Sequence, residues 1–423
     1  EYFVHKFRAM RGGNRVIFPG EKVPGGGEHS GDPVGGPGGG SRASDRPCSA
    51  LGGATCLPEG AVRRRGGEQR EQTLAHMEGG LQATGFPYHV IGGEEALELP
   101  PSILQPGPEQ SSRSSWGGPS YKEAVDSFMG GKRQEGDRDS ATGGAGHSTQ
   151  DMPVGRGGTP CLPDAAQTQG GLRIFEAVET STAREELLLM LRTHLILRGG
   201  RSRGYSKVMT GGGCTRVAIK LLTNGGVGRG AFLAVDTGGG GCSPGFTDKG
   251  GGDMMVVRPM RDWGGKEIAF YNHFYKGGTV TVPPLFTKRR EKPSIHHRGG
   301  RFLLGLQEDF PGGISTVYRT GEKLSPDPGG GSSESQRCLL CLGGLDIEGG
   351  VSMWAGGDSS IPYPLQGHRG GTAECPCPRP CPHRAESKAA YIPLLGGGCR
   401  LTFKELGPLA GGAPYVRAEA QRR

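Results

Sequence analysis

Apolar positions crowd together in one stretch of this chain. Residues 172–198, LRIFEAVETSTAREELLLMLRTHLILR, hold the longest apolar run, Leu187 to Leu191, among strong helix formers. Thr182 and Glu185 form a T-x-x-E pair ahead of that run. At this spacing a threonine hydroxyl caps a helix start while the glutamate reaches back. The pattern predicts a helix over about 183–198, ended by Gly199-Gly200. Its apolar positions wrap most of the way round, so an isolated copy would be adhesive rather than folded. KEIAFYNHFYK (266–276) and TVTVPPLFTKRR (279–290) read as extended, the second interrupted by Pro283-Pro284. The remainder reads as turn and coil.

What recurs instead is punctuation. Gly-Gly pairs stand at 199–200, 212–213, 225–226, 238–239, 251–252, 264–265 and 277–278, a constant step of 13. The 11-residue stretches between them share nothing, whereas a natural repeat reuses the side chains that bury one face against the next. The same cut divides 1–423 into a tandem array of 28 short segments, most of 11 or 12 residues. The longer ones are 94–116, 172–198, 279–298, 314–328 and 372–395. Once the joints are set aside, glycine usage in the segments returns to the ordinary level of about 7%.

Composition sharpens that picture. With 82 Gly and 32 Pro among 423 residues and only 6% aromatics, the chain falls in the low-complexity range. Segments this short lie below the roughly 40 residues needed to enclose a core unaided. Flexible joints leave neighbours without a fixed pose. The expectation is therefore a mostly disordered, irregular chain with no single globular fold and no globular domains, carrying one isolated helix near 183–198. The net charge of +8 is scattered, densest at Arg63-Arg64-Arg65 and Lys288-Arg289-Arg290, which suits weak adsorption more than a defined partner surface. Eleven cysteines follow no repeating spacing. No run approaches a membrane span, and the first residues lack a signal pattern, so the expected location is cytoplasmic.

Chemistry-bearing motifs are sparse. Val217-Ala218-Ile219-Lys220 resembles the V-A-I-K of protein-kinase strand three, whose lysine meets ATP phosphates. The other kinase parts are missing: each His-Arg pair (297–298, 368–369, 383–384) lacks its following Asp, and Asp309-Phe310 precedes Pro311. Cys375, Cys377, Cys381 and His383 are the leading metal candidates, with Cys338-x-x-Cys341 a possible second pair. The C-x-C-x3-C-x-H spacing, threaded with prolines, does not converge thiolates as zinc requires. His296-His297 reads as a solvated pair. Gly226-Val-Gly228-Arg-Gly230 is a weak phosphate-loop lookalike. Arg-Gly-Gly at Arg11, Arg65, Arg156, Arg198, Arg298 and Arg369 is too dispersed for RGG-type RNA binding. The expectation is no enzyme, with no catalytic, cofactor-binding or metal residue and no cofactor.

On the regular joints, the layout resembles a synthetic polyepitope, the string-of-beads antigen of neoantigen vaccines. That resemblance implies proteasomal cutting and display of the peptides on class I histocompatibility molecules, with no specific nucleic acid, no membrane and no defined oligomer. An altered residue at position six of an 11-mer, such as Lys6, Phe86 or Tyr271, would lie in every short ligand cut from it. Two alternatives stand beside it: a natural Gly-rich, disordered nucleic-acid-binding protein, and a designed sequence with no activity.

Overall fold

A helix apolar on nearly every side is stable in water only when other elements surround it. The computed structural model supplies those elements. It describes residues 2–14, 16–17, 23–26, 91–105, 165–230, 233–237, 247–248, 254–274, 292–324, 337–345, 388–406 and 413–423, with isolated positions between 72 and 126. The described helices are α1 (Tyr2–Asn14), α2 (Ala165–Glu176), α3 (Ser181–Arg201), α4 (Cys214–Gly226), α5 (Leu233–Asp236), α6 (Gly265–Phe274), α7 (Ile295–Asp309), α8 (Gly313–Glu322), α9 (Gly397–Glu405) and α10 (Pro414–Arg422). Three 3-10 segments, Gly93–Glu98, Pro101–Leu104 and Lys388–Leu394, join them. A small sheet completes the set: β1 (Gly25–Gly26), β2 (Lys207–Thr210), β3 (Thr247–Asp248) and β4 (Met255–Val257), in the order β1-β2-β4-β3. The β1–β2 and β2–β4 pairings are parallel, with Gly25 opposite Met209 and Lys207 opposite Met255; β3 runs antiparallel to β4.

The expected disorder, with one isolated helix, is therefore overturned. The predicted helix exists but is the buried axis of the largest core rather than a solitary element. Leu187, Leu188, Met190, Leu191, Leu195, Ile196 and Leu197 are all buried, packed with Ile103 and Leu104, with Cys338 to Leu340, and with Tyr391, Phe403, Tyr415 and Val416. Burying each such side chain contributes about 1.5–3 kcal/mol, and these come from segments hundreds of residues apart. A second cluster joins α4, α7 and α8 through Val217, Ala218, Leu303, Ile314 and Tyr318. In a third, Phe3 stacks between Trp263 and Tyr271 at centroid distances of 4.6 and 4.1 Å.

The helix boundaries also differ from the pattern reading. Thr180, not Thr182, caps α3, its hydroxyl accepting from the Ala183 amide at 3.3 Å. Thr182 and Glu185 act across space instead. Thr182 Oγ1 accepts from the Ile295 amide at 3.2 Å, and the Glu185 carboxylate accepts a hydrogen bond from the hydroxyl of Ser294, the residue that caps α7. The helix also continues through Gly199-Gly200. A Cβ at Gly200 would stand 2.3 Å from Met254 Cε, so the missing side chain lets α3 close on the sheet. Helices likewise pass through the pairs at 12–13, 170–171 and 299–300. Gly in a helix costs roughly 1 kcal/mol against Ala, and core burial outweighs it here. The stretch 266–276, expected to be extended, is helical through residue 274 as part of α6, with Glu267 accepting from the Gly264 amide at 3.1 Å. Nothing in the fold explains the 13-residue step.

Candidate metal centre

Cys338 and Cys341 sit on a tight loop whose backbone is tied at both ends. The Cys338 amide donates to the Gly343 carbonyl at 2.8 Å, and the Leu342 amide donates back to the Cys338 carbonyl at 3.1 Å. The loop also turns an amide onto sulfur, Leu340 N–H to Cys338 Sγ at 3.5 Å. Leu342 closes it at φ 62°, a conformation that a side chain adopts only when its surroundings enforce it. Here burial of Leu342 and its neighbours in the main core does so. The third thiol, Cys399, enters on the first turn of α9. The three sulfurs lie within 4.8 Å of one another. Tetrahedral zinc at about 2.3 Å from each thiolate needs sulfurs about 3.8 Å apart, so this trio fits one soft ion with little adjustment.

The electrostatics favour ionisation at one sulfur. Burial opposes charge on Cys338, but hydrogen bonds from the Cys341 and Cys399 thiols and from the Cys341 and Gly396 amides hold it well below the usual thiol range. Cys341 and Cys399 are pushed up, each chiefly by its hydrogen bond with Cys338. A dication displaces protons from such a set. Three protein ligands leave a fourth position free.

Two supports hold the sulfurs in place. The first is His194 of α3, 1% exposed, whose Nδ1 lies 2.6 Å from the Tyr415 hydroxyl and which bonds the Leu340 backbone inside the cysteine loop. The tyrosine hydroxyl donates to Nδ1, leaving Nε2–H for the Leu340 carbonyl. Burial pushes the imidazole pKa down to about 4. The unfolded chain therefore binds a proton near pH 6.5 that the folded protein refuses until about 4. Stability should be fully present above about pH 6.5 and fall as pH drops through that window, by on the order of 3 kcal/mol in all. Urea denaturation across pH 4–7 checks this, with His194→Gln expected to flatten the slope.

The second support is a close approach. A Cβ at Gly398 would meet the Val227 carbonyl oxygen at 2.5 Å and Arg229 Cγ at 2.7 Å. Backbone cannot yield as a side-chain tip can, so Gly398→Ala should displace the start of α9, and Cys399 with it. The expected loss is about 1–3 kcal/mol, accompanied by weaker metal uptake. Gly305→Ala, in open space on α7, is the control; it should gain up to about 1 kcal/mol. Equal melting shifts for the two variants would refute the argument.

A buried polar chain runs away from the sulfurs. Arg229, whose stem lies on Gly398, forms an ion pair with Glu186 of α3, and Glu186 also takes His296 of α7. Burial works against the Glu186 charge, yet the His296 hydrogen bond and the Arg229 charge hold its pKa below the ordinary value. Asn224 continues the chain, donating to Asp236 at 2.6 Å, and Lys220 pairs with the same carboxylate at 2.7 Å.

The motifs fall out accordingly. Val217-Ala218-Ile219-Lys220 lies on a helix, with Lys220 bound to Asp236, so the kinase likeness has no strand beneath it. His296 is not a solvated histidine but a partner of Glu186. Of the metal candidates, Cys338 and Cys341 converge, while Cys375, Cys377, Cys381 and His383 lie outside the described residues. Cys399, which the sequence reading did not single out, follows three glycines and shows its partners only in space. The phosphate-loop lookalike missed that Arg229 within it turns inward.

A helical fold that draws three cysteines from two distant segments together, two buried and one half-buried, defines a class of protein with a convergent thiol site. Comparison with known proteins narrows that class. Residues 294–354, spanning α7, α8 and the cysteine loop, match the family described as cytoplasmic tRNA 2-thiolation protein 2. Across its whole length the chain is 42% identical to the protein of that name from Bos taurus, covering 84% of it. The figures are 41% and 85% for the Homo sapiens protein, and 35% and 86% for that of Danio rerio. The chain belongs to the cytoplasmic tRNA 2-thiolation protein 2 family. Among solved structures, the U34-tRNA thiolase NcsA from Methanococcus maripaludis with its 4Fe-4S cluster aligns over 76% of this chain and 78% of that one, at TM-score 0.41 and 11% identity; likeness at that level carries no argument.

These matches overturn the polyepitope reading. A tandem of unrelated peptides cannot align end to end with one natural family, so the synthetic, vaccine and antigen-presentation assignments fall. The proteasome and class I histocompatibility molecules fall with them as partners. The expectation of no enzymatic role also yields, since the relatives are named for a chemical modification of tRNA. Those relatives carry "cytoplasmic" in their names, and among the described residues no helix is long and apolar enough to cross a membrane.

Proposed function

We propose that this chain works in the cytoplasm in the 2-thiolation of tRNA, a sulfur-transfer reaction, and that Cys338, Cys341 and Cys399 hold a metal ion on which its active fold depends. The observation that carries the reading is the full-length relationship to proteins named for that activity, at 42% identity. The thiol centre supports it, because a protein of sulfur chemistry has use for a protected cluster of soft ligands. When bound, the ion would supply a cross-link between the cysteine loop and α9, and a Lewis-acidic fourth position. The chain's own residues do the rest: the Gly396 amide and the Leu340 loop set the sulfur positions, and His194 fixes the loop against α3. The exposed Arg298 and Arg301 on α7 and Arg319 on α8 are suited to phosphate contact.

The test is complementation. In cells whose own member of this family has been deleted, the wild-type chain should restore 2-thiolated tRNA, read as retardation in a mercury-containing gel. Cys338→Ser should restore roughly a tenth or less of it at equal protein level. Failure of the wild-type chain to restore any thiolation would sink the functional reading. Full activity of Cys338→Ser would remove the thiol centre from it.

A further inference from the structure

A buried arginine normally spends all five of its N–H donors, since each one left without an acceptor costs free energy. Arg229 departs from that rule. Its side chain is 10% exposed, and its Nη1 is committed to Glu186, with the Asn224 side-chain oxygen at 3.5 Å. Nε and Nη2 are fully buried and have no acceptor among the described residues. The residue is placed with care. It follows Gly228, whose φ of 81° turns the chain after α4, and its amide donates to the Asn224 carbonyl at 2.8 Å. That turn lays the Arg229 stem on Gly398, the neighbour of Cys399.

We infer that Arg229 is the counter-cation of the three-cysteine centre, a positioning residue that stabilises the anionic metal–thiolate group in a largely buried site. Charge counting gives the reason. A divalent ion held by three thiolates sets two positive charges against three negative ones, so the loaded centre is one unit negative. Buried negative charge requires a fixed positive partner. Glu186 alone does not use up Arg229, because His296 shares that carboxylate and because the three N–H donors on Nε and Nη2 have no acceptor among the described residues. The arrangement joins the metal site to α3 and α7, so the ion's affinity and the packing of three distant segments become one quantity.

This inference rests on the metal reading above, and the experiment separates the two. Purified wild-type chain is titrated with Co(II) under reducing conditions and competed with Zn(II), following the thiolate charge-transfer band. Arg229→Met should bind about 10–100-fold more weakly, the range found when groups supporting a metal's ligands are removed. Arg229→Lys keeps the charge without the fork and should fall within about 10-fold of wild type. A purely structural arginine would give no such rescue. Should the methionine variant fail to fold, Arg229→Gln takes its place with the same expected loss. Wild-type affinity in Arg229→Met, or a lysine variant as impaired as the methionine one, overturns the inference while the metal reading stands. A wild-type chain that takes up neither ion overturns both.

Discussion

Replacing Glu186 with Ala is expected to cost about 3–5 kcal/mol of stability, the largest single loss foreseen for a residue outside the thiol centre. The carboxylate is 1% exposed and answers both Arg229 and His296. Removing it takes the paired carboxylate from a buried guanidinium and from the His296 imidazole at once. Replacing a buried ion pair whole can be nearly neutral, but removing one member is not. Glu186→Gln should lose less, because an amide oxygen still accepts one hydrogen bond. Acid offers a second route to the same loss. The folded pKa of Glu186 lies below its unfolded value, so its contribution is present above about pH 4.5 and is lost as pH falls further. Urea midpoints for the two variants and wild type at pH 7 decide the matter. A shift for the alanine variant worth under about 1 kcal/mol would mean that water reaches this pair and that the network is not closed.

Cys399→Ser is expected to weaken Zn(II) or Co(II) binding by roughly 100-fold or more, since a neutral hydroxyl replaces one of three thiolates. Because the ion would bridge the cysteine loop and α9, the same change should abolish the metal-dependent part of the melting temperature. Wild-type protein treated with a chelator should then melt where the serine variant does. The comparison is sharp because Cys214, also buried, lies in the α4 cluster rather than at the centre. Cys214→Ser should leave metal uptake unchanged. Loss of metal binding in both variants, or in neither, would show that the three convergent sulfurs are not the ligands.

Some of this was legible in the sequence. The apolar wrap of 172–198 announced a helix, and the same wrap implied burial on all sides had other elements been expected. Cys338-x-x-Cys341 stood out as a possible pair, and the fold sets Cys399 beside it. What hid the rest was partnership across distance. Thr182 and Glu185 have the spacing of a local cap, yet they bind Ile295 and Ser294, more than a hundred residues on. Arg229 sits in a run of glycines that reads as a flexible joint, and only the facing Gly398 reveals a tight passage for its stem. The regular glycine pairs were the loudest pattern and the least informative about packing. Helical backbone tolerates them wherever a neighbouring apolar face supplies the missing stability, as α3 and α7 show.

The φ of Leu342 has a further implication for how the centre comes together. A leucine held in the left-handed region is unfavourable until its side chain is seated among its neighbours, so the bend that aligns Cys338 with Cys341 cannot be well populated in the free chain. Sulfur convergence is thus gated by assembly of the interior: the claw closes only after the hand has formed. An ion arriving early would meet two wandering thiols, and one arriving late would meet a finished grip.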